Sequence, residues 1–455
     1  MRLTRSLIIV AVALAACAFG QEKEKPPAGD APKPFRVPAT ETFTLKNGMK
    51  VTLAQYGNIP KVTIEAVVRC GNIDEAANQV WLADVMADLM KEGAGSRNGA
   101  QIAAEAARMG GQIDIGAGPD ETVVSADALS EFAPDMIALM ADVIERPAFP
   151  ASELPRIVND SVRRLSVART RPQSLADEAF RKALYPDHPY GRLFPTEEML
   201  KGYTIESVRG FYKANFGASR THLYIVGRFS PDVTRAVRTA FEGWARGSEP
   251  KFNIPKPAAA KSFVVIDRPG AVQSTIRLGL PVLNPKNPDY VAFAVMNALL
   301  GGSFNSRITA NIREQKGYTY SPYSVVSTRY RDGFWAQNAD VTTADTGAAL
   351  KEIVFEIDRM RKEPPSQEEL QGIKNYLAGT FVLQNSSRRG IANQLVFVNL
   401  HELGEEYLKT FVQRVQAVTP ADVQRMARTY LDPAKMTLAV AGDQSKIASQ
   451  IEPFK

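Results

Sequence analysis

The chain has 455 residues, of which 45% are hydrophobic and 23% are charged, a composition typical of a globular protein with two or three domains. Its 55 basic and 49 acidic residues leave a net charge of +6, which gives no reason to propose a nucleic-acid partner. Two cysteines exclude a disulfide framework and a four-thiolate metal site, and no two of the three histidines (His188, His222 and His401) share a turn of helix.

The amino terminus has the pattern of a secretory signal. Two arginines precede an apolar run, Leu7 to Ala16, that is too short to span a bilayer as a mature helix. The run ends in LAAC, which resembles the lipobox of bacterial lipoproteins, so we expect residues 1–16 to be removed and Cys17 to carry a lipid. Ordinary cleavage near Gly20 is the alternative. Residues 17–38 are polar and proline-rich, which predicts a flexible tether. We therefore expect an exported protein of the bacterial periplasm, attached to the membrane only through this lipid.

A first domain is predicted over residues 39–247. Three strand-like runs open it: Phe43–Leu45, Lys50–Ala54 and Val62–Arg69. Residues 80–97 then predict an apolar helix that runs into a glycine-containing turn. Residues 204–227 predict a threonine N-cap, an amphipathic helix, a turn and an apolar strand that ends in glycine.

Residues 248–261 are rich in proline, alanine and lysine without apolar periodicity, which predicts a linker to a second domain, 262–455. The second domain opens with the strand-like runs Ser262–Asp267 and Ser274–Leu280. Residues 290–307 align with 80–97 at an offset of 210, and residues 419–442 align with 204–227 at an offset of 215. These offsets indicate a duplicated α+β domain of about 210 residues, with helices packed on a mainly antiparallel sheet.

Residues 301–323, GGSFNSRITANIREQKGYTYSPY, resemble the second-domain signature of the M16 peptidases, the pitrilysin, insulinase and mitochondrial-processing-peptidase family. Further blocks at residues 71–75, 188–192, 226–227 and 269–274 resemble the family in the same order, so the resemblance covers about residues 38–450. It implies two homologous LuxS/MPP-like α/β sandwich domains with mainly antiparallel sheets covered by helices.

The zinc-binding pattern of the family is altered in this chain. Family members that cleave peptides carry H-x-x-E-H on the first domain's helix, where the histidines bind zinc and the glutamate activates its water. The corresponding positions here are Asp84, Ala87 and Asp88. A further glutamate ligand is expected near residues 160–164, where the alignment favours an arginine, although Asp160 is close. We therefore expect the chain to bind no metal, with its two aspartates solvated or paired with an arginine.

Arg313 and Tyr320 are seven residues apart, as are the arginine and tyrosine of the family's second-domain motif. Gly317 between them predicts the end of a helix and a turn into a strand, so that the two side chains could meet. In the family this pair reaches the catalytic cleft and donates hydrogen bonds to the substrate, a role that the resemblance implies here.

The resemblance thus implies the non-catalytic, substrate-binding subunit of a heterodimeric M16 zinc endopeptidase that cleaves extended peptides in the cell envelope. An H-x-x-E-H partner would hold the zinc, and this chain would supply Arg313 and Tyr320 in trans. One alternative is a scaffold or binding protein of the same fold without a proteolytic role. Another is an autonomous enzyme that uses Asp84 and Asp88 with a different metal. The sequence leaves open the substrate and whether the partner is a homologue or a second copy.

Overall fold

A computed structural model describes residues 36–258, 261–404 and 406–455. The predicted signal segment 1–16, the predicted lipidation site Cys17 and most of the predicted tether lie outside these residues. Over the described residues, no helix combines the length and the apolar character needed to cross a bilayer.

The first half of the chain builds a six-stranded sheet and a small two-stranded hairpin. The strands, in chain order, are β1 (Thr40–Thr44), β2 (Lys50–Gln55), β3 (Lys61–Val68), β4 (Gly93–Ala94), β5 (Arg97–Asn98), β6 (Ile113–Ala117), β7 (Thr122–Leu129) and β8 (Thr221–Gly227). The sheet has the order β1-β2-β8-β3-β7-β6, and β4 pairs with β5. Within the sheet only β2 and β8 run parallel. Strand β3 is buried along almost its whole length, including the polar residues Thr63 and Glu65.

Eight helices accompany this sheet in the described part of the first half. They are α1 (Leu82–Met90), α2 (Gly99–Arg108), α3 (Ala133–Glu145), α4 (Leu154–Thr170), α5 (Pro172–Leu184), α6 (Glu197–Lys201), α7 (Ile205–Asn215) and α8 (Asp232–Phe241). Helix α1 buries seven of its nine residues, which explains its apolar sequence.

The second half builds a five-stranded sheet of order β11-β12-β10-β13-β9. Its strands are β9 (Phe263–Asp267), β10 (Gln273–Pro281), β11 (Tyr323–Arg329), β12 (Asp332–Thr342) and β13 (Thr437–Gly442). Its helices are α9 (Tyr290–Asn297), α10 (Arg307–Thr309), α11 (Thr346–Lys362), α12 (Gln367–Gln384), α13 (Arg388–Leu400), α14 (Glu406–Ala417), α15 (Pro420–Tyr430) and α16 (Gln444–Ile451). Two π-helical segments extend α9 and α10, over Ala298–Gly302 and Ala310–Gln315.

The two sheets repeat one topology. The order β2-β8-β3-β7-β6 in the first corresponds to β9-β13-β10-β12-β11 in the second, and β9 and β13 again form a parallel pair. Thr204 and Thr419 cap equivalent helices, each accepting a hydrogen bond from the backbone N–H three residues on. The predicted pair of α+β domains with mainly antiparallel sheets is confirmed.

Each half also packs one helix on the other half's sheet. Helix α5 lies against β10 and β13, where Phe180 and Tyr185 pack against Phe334. The equivalent helix, α13, lies against β3 and β8, where Ile391 packs in a cluster with Val226. In keeping with this exchange, residues 35–455 form one compact unit that contains the candidate functional residues of both halves.

Candidate functional site

Arg313 and Tyr320 are brought together by a tight helix end. Arg313 lies on the π-helical segment Ala310–Gln315, and Gly317 follows with a φ of +68°, a left-handed conformation that favours glycine. The Tyr318 N–H donates to the Ile312 carbonyl at 2.8 Å and closes this turn. Tyr320 consequently returns to Arg313, whose Cζ lies 5.0 Å from the centre of the Tyr320 ring.

The prediction that the tyrosine lies on the following strand is wrong. Strand β11 begins only at Tyr323, three residues after Tyr320. Pro322 stands in between and has no N–H for a strand ladder. Tyr320 therefore lies on a turn, where its side chain is 80% exposed.

A second aromatic ring completes the arrangement around Arg313. Arg313 Cζ lies 4.3 Å from the centre of the Phe304 ring, so the guanidinium is stacked by Phe304 as well as by Tyr320. Stacking covers the faces of a guanidinium and leaves its N–H groups free in the plane. Of these groups, Nε lies 3.2 Å from the carboxylate of Glu314. The sequence shows Phe304 only as a large apolar residue in a glycine- and serine-rich turn, and its contact with Arg313 was not predicted.

The stacked arginine lines a cavity of about 320 Å³. The turn that carries Phe304 can reach it because Gly301 lies against the sheet: a Cβ there would lie 2.6 Å from Gln337 Oε1 and 2.7 Å from Ser324 Oγ. The other residues that line the cavity are Gly302, Ser303, Thr309, Ser321, Pro322 and Tyr323. The lining of the cavity thus combines one arginine with three aromatic residues, Phe304, Tyr320 and Tyr323.

Helix α1 carries Asp84, Ala87 and Asp88, the three positions that the sequence resemblance aligns with H-x-x-E-H. Ala87 is buried and offers only a methyl group. Asp84 accepts a hydrogen bond from Asn72 Nδ2 at 2.9 Å, and burial raises the pKa of its carboxyl despite that bond. Asp88 is paired with Lys91 Nζ at 3.0 Å and with Arg164 Nη2 at 3.3 Å.

Arg164 comes from α4, and its position settles which residue faces the aspartates. The other acidic residue of that region, Asp160, is paired instead with Arg156 and Arg163 on its own helix. Arg164 also lies over the Trp81 ring, 5.6 Å from its centre, beside the start of α1. A cationic side chain from the region in which the resemblance predicts a glutamate ligand therefore faces α1.

One further acid in this region was missed by the sequence reasoning. Glu75 is buried, and burial raises its pKa to about 8. Its carboxylate accepts hydrogen bonds from the backbone N–H groups of Trp81 at 3.1 Å and Ala83 at 2.9 Å. These are free N–H groups at the start of α1, so Glu75 acts as a helix cap.

The donor set on α1 does not fit a zinc ion. Zinc sites use neutral histidine, thiolate and carboxylate groups, usually four in number. Asp84 and Asp88 are one turn apart, but the side chains that contact them are those of Asn72, Lys91 and Arg164, none of which belongs to these ligand types. No cluster of three or more histidine, cysteine, aspartate or glutamate side chains able to hold a metal occurs in residues 36–258, 261–404 and 406–455.

The two candidate regions lie in different halves of the chain and share no residue. The contacts of Arg313 and Tyr320 in the described structure are with Phe304, Glu314 and each other. None of them reaches Asp84 or Asp88. The chain therefore combines an exposed hydrogen-bonding site on one half with a helix on the other half that lacks a zinc-binding donor set.

Comparison with known proteins covers both halves. Residues 50–194 match the family described as insulinase (peptidase family M16), and residues 202–377 match the description peptidase M16 inactive domain. An uncharacterized zinc protease of Rickettsia felis is 23% identical over 368 residues, which are 80% of this chain and 86% of the relative. The uncharacterized zinc protease YmxG of Bacillus subtilis is 24% identical over 353 residues, which are 76% of this chain and 84% of the relative. The crystal structure of a peptidase M16 inactive domain from Pseudomonas fluorescens has a TM-score of 0.81 and 25% identity, and covers 89% of this chain and 98% of its own.

Proposed function

The chain belongs to the M16 peptidase family, and we propose that it is the non-catalytic, substrate-binding subunit of a heterodimeric zinc endopeptidase. The observation that carries the proposal is the contrast between its two halves. Arg313 lies over the rings of Phe304 and Tyr320, 4.3 and 5.0 Å from their centres, at the edge of an open cavity. Helix α1, in contrast, offers aspartates that are already engaged, Asp84 by Asn72 and Asp88 by Arg164.

Arg313 and Tyr320 supply hydrogen-bond donors to a peptide carbonyl. A guanidinium group is planar, and its N–H donors all lie in that plane. Stacking between two rings restricts the rotation of that plane, so less conformational entropy is lost when a peptide binds. Donors held in place in this way stabilise the negative charge that develops on a carbonyl oxygen during attack.

The partner would be an M16 subunit that carries H-x-x-E-H and the zinc ion. This chain would close over the partner's active site and orient an extended peptide there. If Cys17 is lipidated, the complex acts at the membrane of the cell envelope and its substrates are peptides in the periplasm. Phe304 is 66% exposed and Tyr320 is 80% exposed. A scaffold without a substrate-binding role would not explain why these two aromatic residues face solvent beside Arg313.

The test is reconstitution with an H-x-x-E-H homologue encoded beside this chain. Each protein is purified alone, the two are mixed with zinc, and cleavage of an unstructured, internally quenched peptide is followed by fluorescence. We expect little cleavage by either protein alone and at least about a hundredfold more by the mixture. Full activity of the homologue alone would refute the proposal. A stable complex without increased cleavage would favour the scaffold.

A further inference from the structure

A second cavity lies beside the first, and we propose that it is a specificity pocket for one large apolar side chain of the peptide. This inference rests on the proposed function, since it concerns the same bound peptide. The cavity measures about 330 Å³ and lies between the glycine-rich turn and α12. It shares Ser303 and Phe304 with the cavity of Arg313, so the Phe304 ring stands between the two.

The residues around the second cavity favour an apolar occupant. Leu299 and Ile373 are buried in the core and form part of its wall, while the rings of Phe304 and Tyr376 are exposed at its edge. Apolar walls with exposed aromatic rims are typical of sites that bury a ligand side chain. The volume suits a single side chain and is too small for a helix or a strand of a partner.

The continuity of the two cavities identifies the occupant as part of the same peptide. A peptide whose carbonyl is bound by Arg313 advances by about 3.3 Å per residue when extended. A neighbouring side chain of that peptide therefore passes across Phe304 and enters the second cavity. A phenylalanine, leucine or tyrosine side chain would bury its apolar surface there.

The acidic residues at the rim of the second cavity favour a basic residue next to the apolar residue of the peptide. Two carboxylates line the cavity on the first turn of α12. Glu369 accepts two hydrogen bonds from Arg307, at 2.7 and 2.8 Å. Burial alone would raise the pKa of Glu369, but the pairing with Arg307 helps to hold that pKa below its usual value. Glu368 is exposed and forms no ion pair in the described part of the chain. The rim is therefore complementary to a lysine or arginine next to the apolar residue.

Gly372 offers a way to fill the cavity without damaging the fold. It lies inside α12, lines the cavity, and a Cβ placed on it meets no atom within 4 Å. Gly372→Leu would occupy the apolar space and would also replace the poorest helix former except proline. Gly379→Leu is the matched control, because Gly379 is an exposed glycine of the same helix with equal free space and does not line the cavity.

The experiment measures binding of three fluorescein-labelled, unstructured peptides to the full chain by anisotropy. The peptides differ at one pair of positions, which is Lys-Phe, Lys-Ala or Glu-Phe. We expect the Lys-Phe peptide to bind the wild-type chain at least about tenfold more tightly than the Lys-Ala peptide. The Glu-Phe peptide should bind a fewfold more weakly than Lys-Phe, and this difference should shrink as salt is added. Gly372→Leu should abolish the phenylalanine preference, whereas Gly379→Leu should keep it.

Thermal melting of both variants serves as the folding control, and Gly372→Leu should melt no lower than the wild type. Equal affinities for Lys-Phe and Lys-Ala, or a preference that survives Gly372→Leu, would overturn the pocket. Failure of all three peptides to bind would overturn it as well. The proposed function is judged separately, by cleavage in the reconstituted pair and its dependence on Arg313, so the two can fail independently.

Discussion

Restoring the zinc-binding histidines tests whether Arg164 now occupies the place of the missing ligand. The perturbation is the double substitution Asp84→His and Asp88→His, made with the native Arg164, with Arg164→Ala and with Arg164→Glu. Positions 84 and 88 lie one turn apart on the same face of α1, so two histidines there can bind one ion.

The expected magnitude follows from one distance. Arg164 Nη2 lies 3.3 Å from Asp88 Oδ2. A zinc ion bound about 2 Å beyond a histidine at position 88 would lie roughly 5 Å from the guanidinium. At an effective dielectric constant of about 20, a divalent ion and a unit charge at that distance repel each other by roughly 7 kcal/mol. Arg164 is half exposed and can turn toward water, so we expect roughly 3 kcal/mol to remain, or about a hundredfold in affinity.

The assay is calorimetric titration with zinc, with circular dichroism as a control for folding. The double variant with Arg164 should bind zinc weakly, the version with Arg164→Ala about a hundredfold more tightly, and the version with Arg164→Glu more tightly still because it gains a ligand. Equal zinc affinity of all three proteins would refute the assignment of Arg164 to the ligand position.

Three further predictions concern the framework. Phe180→Ala should lower the free energy of unfolding by about 3–5 kcal/mol in urea titrations, because Phe180 is fully buried against Phe334 where the two halves exchange helices. Asp332→Asn should remove part of the pH dependence of stability. Burial raises the folded-state pKa of Asp332 from 3.8 to about 6, so between these pH values the folded protein keeps a proton that the unfolded chain releases. The stability of the wild type therefore falls as pH rises through this range. The loss between pH 4 and pH 6 should be smaller in this variant by up to about 2 kcal/mol in parallel urea titrations, and an equal loss would contradict the assignment. Arg307→Ala should lower the free energy of unfolding by about 2–3 kcal/mol, measured in the same way. The substitution removes the ion pair between Glu369 and the almost wholly buried side chain of Arg307.

The repeat was accessible from the sequence because it depends on local signals. Thr204 and Thr419 each begin an amphipathic helix that leads through a turn to a buried strand, and hydrophobic periodicity and capping residues show this directly. Strands β7 and β12 were not predicted from the sequence, and both carry polar residues at buried positions that interrupt an apolar pattern. Gln337 and Asn338 on β12 are buried and donate side-chain hydrogen bonds to nearby backbone carbonyls, whereas Gln337 Oε1 is buried without a hydrogen-bond partner.

The candidate site was predictable only in part. The spacing of Arg313 and Tyr320 is a sequence property, and the presence of aspartate at positions 84 and 88, which the family resemblance aligns with the histidines of H-x-x-E-H, is another. The stacking of Phe304 on Arg313 depends on the close approach of the turn at Gly301 to the second sheet. The hydrophobic periodicity of the sequence carries no information on that approach. The pairing of Asp88 with an arginine 76 residues away likewise depends on how two helices pack.

The most direct test of the central claim is the effect of Arg313 on cleavage by the partner. In the reconstituted pair, kcat is compared for the wild-type chain, Arg313→Ala, Tyr320→Phe and the control Lys316→Ala, whose exposed side chain lies one residue beyond the helical segment. We expect Arg313→Ala to lower kcat about a hundredfold or more, Tyr320→Phe about tenfold, and Lys316→Ala not at all. Complexes of Arg313→Ala that form normally and cleave at the wild-type rate would contradict the claim that this chain supplies donors to its partner's active site.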